Sequence, residues 1–450
     1  MTKAITLRRG KRQAALVAVT ALAMALGGCG VLGKGKMRTT PTIGKREPVL
    51  SRIESGATVD DAIASMAVVL PPPAENAQWA QPGGSASKSY GNLALADAPQ
   101  RAWTASIAGS NKRQRLAASP VVGNGSLFVY DTAGVIHAFD AKNGGRLWSV
   151  SFHSKANTNA LFGGGVSYAD NRVYVTTGLG EVAQLDAASG KELWRVQTGM
   201  PLRGSPTVAY GAVYVMTQDN QILALSLDDG STLWNESGAP GQTGVFGVAA
   251  PAVGQSTVLA GYSTGELVAY RYENGRQLWN DALARTSIAT SVSTLTDIDA
   301  DPIIDSGRVF ALGQGGRMAA YELVTGQRIW ELSLAGISTP AVAGDWIFTL
   351  TDQDKLLCIA KATGKVRWVT QLQNWENVRK KKGAIYWTGP VLANSRLWVA
   401  NSRGEIASVS SADGTVQPFT RVKDSVSLAP VVAGSTLYVL DDGGHITAWR

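Results

Sequence analysis

Cysteine is almost absent. The 450 residues contain two, Cys29 and Cys358. Cys29 closes an N-terminal apolar run and Cys358 sits in the strand-like "KLLCIA", so no disulfide framework supports a fold here. Cys358 reads as a small buried hydrophobe. Histidine is nearly as rare, with His137, His153 and His445 only. None stands in a His-x-x-x-His, Cys-x-x-Cys or Gly-x-Ser-x-Gly context, so zinc-hydrolase, dithiol and nucleophile-elbow chemistry have no support. Gly-rich "LFGGGVS" follows no dinucleotide-binding unit and sits where a hairpin turn belongs. Charged residues make up 17% of the chain and apolar ones 45%, which is a globular composition rather than a disordered one. The formal net charge of +8 is misleading, because residues 1–56 carry +9 and the remaining 394 carry −1. Net charge therefore gives no case for nucleic-acid binding by the folded part.

The basic N-terminus has its own meaning. Lys3, Arg8, Arg9, Lys11 and Arg12 precede "AALVAVTALAMALGGCG", a charged region followed by an apolar run too short for a stable membrane span. Leu26-Gly27-Gly28 directly before Cys29 resembles a bacterial lipobox. That resemblance implies cleavage before Cys29 and lipidation of its thiol. Residues 1–28 are then a signal peptide and 29–75 a lipid-anchored tether ending in "LPPP". Within it, "TVDDAIASMAVV" reads as a brief helix or strand.

What the chain has in abundance is glycine, 50 residues, and a repeat that uses it. "NGGRLW", "SGKELW", "DGSTLW", "NGRQLW", "TGQRIW" and "TGKVRW" recur along the chain. Each closes a unit such as "SPVVGNGSLFVYDTAGVIHAFDAKNGGRLW", in which short alternating runs lie between Asp, Asn and Gly turns. Such a unit is about four antiparallel strands. Pro120 of the first unit and Pro430 of the eighth are 310 residues and seven steps apart, a period of about 44 residues. Four strands at that period predict an all-β, eight-bladed β-propeller over residues 76–450. The eighth unit stops at Arg450 before a fourth strand, and "RAWTASI" precedes the first unit without the rest of a blade. The N-terminal strand is therefore expected to complete the C-terminal blade, which closes the ring and removes two open edges. The recurring Trp is expected as a wedge between neighbouring blades, worth about 1.5–3 kcal/mol of burial each. His137 and His445 are read as equivalent strand positions with a packing role.

The Asp-x-x-x-Gly-x-x-x-Trp blade ending resembles the PQQ-type propeller repeat, found in quinone-dependent dehydrogenases and in non-enzymatic propellers. The enzymes imply a greater length, a vicinal Cys pair and a calcium site, none of which is visible here. Lipobox, tether and eight such blades together are similar to the BamB family, lipoproteins of the outer-membrane β-barrel assembly machinery. That resemblance implies a non-enzymatic scaffold without a cofactor or metal. It implies a place on the periplasmic face of the outer membrane, BamA as partner, and contact with unfolded barrel proteins. It also implies that Asp297 and Asp299, in "LTDIDADP", lie on a loop that grips BamA. The preceding blade's loop, "QTGVFGVAAP", is the second expected contact, through Val245 and Phe246. In an extended loop, Asp297 and Asp299 point the same way and are expected to face the partner. The run Arg379–Lys382 is read as a solvated loop between two blades, with contact to an acidic partner or anionic lipid as the alternative.

Overall fold

Short alternating runs between Gly- and Asn-bearing turns become strands throughout the computed structural model. It describes residues 58–152, 163–240, 249–283 and 297–450. Among these residues there is no helix, and the strands form eight four-stranded antiparallel sheets arranged as the blades of a ring, with one further two-stranded sheet in an insertion. Blade 1 shows the pattern: Val121–Gly123 innermost, then Ser126–Tyr130, Val135–Asp140 and Arg146–Ser151 at the rim. The two middle strands of each blade are nearly all buried, while the outermost strand alternates toward solvent. Strand Arg101–Ser106 pairs antiparallel with His445–Trp449, and so forms the outer strand of blade 8 beside Thr436–Leu440 and Val431–Ala433. "TVDDAIASMAVV" forms a turn, with no helix or strand.

The repeated Trp joins each blade to the next. Trp148, Trp194, Trp234, Trp279, Trp330 and Trp368 donate their indole N–H to main-chain carbonyls of the following blade, at Ala187, Leu227, Tyr272, Leu323, Lys361 and Ser411, over 2.8–3.0 Å. Trp103 on the N-terminal strand does the same to Ala141 of blade 1, at 3.1 Å. Beneath each indole lies the Gly of the following blade's last turn. At Gly326, φ is +70° and a Cβ would come 2.5 Å from Trp279 Cγ. The Gly and the Trp of the motif thus meet across blade boundaries. Trp148 and Trp194 are half-buried, whereas Trp234, Trp279, Trp330 and Trp368 are buried. Gln417 stands where blade 7 lacks its Trp, and there Phe419 packs edge-on to Trp398 and Trp449, with ring centroids 5.1 and 6.1 Å away.

A second feature has no counterpart in the repeat. Residues 74–95 run along the inside of the ring and hydrogen-bond to inner strands in circular order. Asn76 bonds Val432 and Gly434 of blade 8. Trp79 exchanges two main-chain bonds with Val122 of blade 1, and Ala80 accepts from Tyr168 of blade 2. The Gln81 side-chain amide bonds both N–H and C=O of Val208 in blade 3, each at 2.9 Å. Ala86 and Ser87 accept from Val253 and Ile304 of blades 4 and 5, and Leu93 bonds Leu392 and Asn394 of blade 7. Inner strands expose an unpaired edge toward the axis, and this strap satisfies part of it in seven of the eight blades. Ahead of the strap, Asp60 N–H donates to Val366 O, and Arg367 Nε donates to Met66 O, so residues from 58 onward already lie against the blades.

The lock separates packing from hydrogen bonding. Trp279→Ala is expected to destabilise by about 3–5 kcal/mol, the range for losing a large buried side chain. Trp279→Phe keeps most of the packing and strands the Leu323 carbonyl, so it should lose about 1–3 kcal/mol. Gly326→Ala should destabilise although it adds atoms. Urea unfolding of the three variants checks the order, and an unchanged midpoint for Gly326→Ala contradicts the lock.

Candidate functional site

The segment leading into strand Ile303–Asp305 reads Asp297-Ile298-Asp299-Ala300-Asp301. Its side chains alternate. Ile298 and Ala300 are buried in the apolar cores of this part of the ring, and the three acids point to the other side. The period-two reading of Asp297 and Asp299 therefore holds, but the environment does not. Asp297 is 1% exposed and Asp299 8%, so neither is presented at the surface, where the expected contact with a partner would need it. Their partner lies within the chain. Arg203, from "PLRGSP" between blades 2 and 3, donates from Nη2 to Asp297 Oδ1 at 2.7 Å and approaches Asp299 Oδ1 at 3.5 Å. Burial of all three explains the pairing, since an isolated ion is strongly disfavoured away from water. Sequence reasoning missed Arg203 because it lies 94 residues from Asp297. The available signal was a charge beside the fully buried Leu202.

Asp301 accepts from Ala250 N–H at 2.7 Å, and its charge acts on Lys88 of the strap. Lys88 is 1% exposed and donates to Thr207 Oγ1 at 3.0 Å. Burial pushes its ammonium down to about 8, and Asp301 pulls the other way. The Asp299 carboxyl is pushed up to about 7, first by burial and then by the negative Asp297 beside it, against the pull of Arg203.

Asp299 and Asp301 line a cavity of about 230 Å³ where the segments leading into six inner strands converge. The strap contributes Trp79 and Tyr90, whose ring centroids are 4.9 Å apart, and Pro390 and Leu428 add apolar wall. The lining residues include no Arg or Lys. A quinone carrying several carboxylates finds no cationic partner on such a wall. Cys358, buried and free, lies in the core of blades 6 and 7, so no redox-active pair adjoins the cavity.

The histidines are structural in their contacts. His137 is buried, with Nε2 2.9 Å from Asp131 Oδ2 and Nδ1 2.8 Å from Ser149 Oγ. His445 places Nδ1 3.0 Å from Asp441 Oδ1 and 3.5 Å from Asp424 Oδ2. They are not equivalent positions. His137 pairs with Val129, whereas the blade-8 residue in that register is Thr447, opposite Val439. What the two share is an aspartate whose carboxylate also accepts main-chain N–H groups of its hairpin turn. Arg379, Lys380 and Lys381 lie in the exposed turn between strands Trp375–Asn377 and Lys382–Ala384, and Lys382 opens the second of them. Cys29, His153, Val245 and Phe246 lie outside the described residues.

Fold and repeat define an eight-bladed propeller of the PQQ-repeat class. The family model described as "Outer membrane protein assembly factor BamB" matches residues 89–161 and 132–370. The chain belongs to that family, whose role is in outer-membrane protein assembly. It is 26% identical over 357 residues to outer membrane protein assembly factor BamB of Yersinia pestis, covering 78% of this chain and 88% of that protein. The crystal structure of BamB from Moraxella catarrhalis superposes with a TM-score of 0.65 at 19% identity, over 77% of this chain and 99% of that one. Quinohemoprotein alcohol dehydrogenase from Comamonas testosteroni shares the fold, with a TM-score of 0.68 at 14% identity over 89% of this chain and 83% of that one.

The raised Asp299 carboxyl has a signed consequence. The folded chain holds a proton there up to about pH 7, whereas unfolded aspartic acid releases it near pH 4. The stability this group contributes is full below about pH 4 and is lost as pH rises toward 7. The urea midpoint should therefore fall between about pH 5 and 7.5, and fall less steeply in Asp299→Asn. Asp354, raised by burial to about 6, leaves a residual slope of the same sign. Equal slopes in wild type and variant would contradict the burial of Asp299.

Proposed function

We propose that this chain is a non-enzymatic scaffold of the outer-membrane β-barrel assembly machinery. It is anchored by lipid at Cys29 on the periplasmic face and binds the periplasmic domains of BamA. Family membership carries the reading, and the ring geometry supports it. A propeller offers a platform of loops, and the segment Asp297–Asp301 leading into blade 5 is held from within by the buried Arg203–Asp297–Asp299 group. In this reading, Asp297 and Asp299 serve the partner contact indirectly. They hold the entry to blade 5 in place, and Val245 and Phe246 of the preceding blade's loop supply the apolar contact. Unfolded barrel proteins meet the rim, where outer strands present an open edge with exposed Leu147, Leu193, Leu233 and Leu278. Edges of that kind accept an extended segment by strand addition. The quinone-dehydrogenase alternative rests on likeness of fold alone, and the acidic cavity opposes it.

The test uses the full lipidated chain, tagged and purified from membranes of its own cells in mild detergent. BamA should be among the co-purified proteins by mass spectrometry, and Phe246→Asp should deplete it without changing the melting temperature. Cys29→Ser should move the protein into the soluble periplasmic fraction. Absence of BamA from the intact wild-type preparation would overturn the proposal.

A further inference from the structure

The connection between blades 6 and 7 carries an insertion that the repeat does not need. Strands Trp375–Asn377 and Lys382–Ala384 pair as a hairpin, with Trp375 opposite Ala384 and Asn377 opposite Lys382. Its base is tied to the ring. Ile385, 1% exposed, donates its N–H to Asn374 O at 3.0 Å, and the Trp387 indole donates to Gln373 O at 2.9 Å. Tyr386 and Ser402 of blade 7 exchange two hydrogen bonds, and Glu376 pairs with Arg403 of the same blade. Asn377 Oδ1 accepts from Lys380 N–H at 3.0 Å and so shapes the turn. The tip has no such ties to the blades. Arg379, Lys380, Lys381 and Lys382 are all exposed, and among the described residues none of them makes an ion pair. Residues 57–450 carry −1 in all, and without these four cations they would carry −5. Positive charge is thus gathered on one protrusion of a body that is otherwise acidic. Apolar side chains accompany it, with Val378 64% exposed at the tip and Tyr386 67% exposed at the base.

We propose that this hairpin is a docking element for an anionic lipid surface, its four cations meeting headgroup phosphates while Val378 and Tyr386 reach into the interfacial layer. Shape and composition favour lipid over an acidic protein. The chain reverses direction over Arg379–Lys381, so the charges crown a tip instead of lining one face. A layer of phosphates answers such a crown from every side, whereas a folded acidic surface must place a carboxylate at each position. Clustered Lys and Arg beside an exposed aliphatic side chain and a Tyr are also the composition that settles at a membrane–water boundary. In a chain of an outer-membrane assembly family, this contact decides which part of the ring turns to the membrane. It needs neither BamA nor acylation of Cys29, so the two readings fail separately.

Vesicle co-sedimentation tests it, using the full chain with Cys29→Ser so that acylation cannot carry the protein to lipid. Vesicles of phosphatidylethanolamine with phosphatidylglycerol are compared with vesicles of phosphatidylcholine. Residues 29–56, at +4, add the same attraction to every variant, so the variants are read against one another. Lys380→Gln with Lys381→Gln should weaken binding to the anionic vesicles by about tenfold or more, since each cation near such a surface is worth about a factor of five. Lys142→Gln with Lys191→Gln removes the same charge from exposed turns of blades 1 and 2, and should change binding by less than about twofold. Val378→Asp should weaken binding as well, and all variants should keep the parent melting temperature. Equal losses in the two lysine pairs would show attraction by net charge alone and overturn the proposal. So would undiminished binding in the hairpin pair, equal binding to phosphatidylcholine, or hairpin-dependent capture of a poly-glutamate peptide by a chain that ignores the vesicles, which would assign the tip to an acidic protein.

Discussion

The ring depends on one contact, made seven times: an indole resting on the glycine of the next blade, with its N–H bonded to a carbonyl of that blade's turn. Neither half works alone. The glycine must have no Cβ, because the indole occupies that space, and its φ is one that other residues rarely adopt. The Trp in turn needs a carbonyl, because a buried indole N–H without an acceptor is costly. The seven contacts span every blade boundary except that between blades 7 and 8. There Gln417 replaces the indole, and Phe419 bridges to Trp449 by ring packing.

That contact is also why so much of the fold was legible. A periodic constraint writes a periodic sequence, so the Gly and Trp spacing and the Pro period displayed blade count and strand count together. What followed no period was not legible. The strap of residues 74–95 gives one or two bonds to each inner strand it meets, so it has no alternation for a strand and no spacing for a helix. Its Gln81, whose amide serves as a substitute peptide group for Val208, looks like any polar loop residue in the sequence. The acids show the same division. That Asp297 and Asp299 share a side followed from their spacing, whereas their burial followed from Arg203, brought in from a different blade junction by the ring itself. His137 and His445 were matched by the shape of their surrounding sequence, and the strand register separates them.

The architecture bears on function through its platform and its charge. Family membership places the chain among outer-membrane protein assembly factors, and the ring of eight blades is the platform on which that role is built. Among the described residues the centre holds a cavity of about 230 Å³ whose wall has no Arg or Lys. The strap lines it, two buried acids mark its wall, and two aromatic rings cover part of its surface. The fold is shared with quinohemoprotein alcohol dehydrogenase, and in this chain the wall of the cavity carries two acids and no Arg or Lys.

If the Trp–Gly contacts make the blades one cooperative body, weakening one of them must be felt all round the ring. In an open repeat array each unit answers mainly to its neighbours. Native-state hydrogen exchange distinguishes the two, because the slowest amides report global opening and faster ones report local opening. With Trp330→Phe, the slowest-exchanging amides of all eight blades should lose the same free energy, about 1–3 kcal/mol. A loss confined to blades 5 and 6, with full protection kept in blades 1 and 2, would contradict the account.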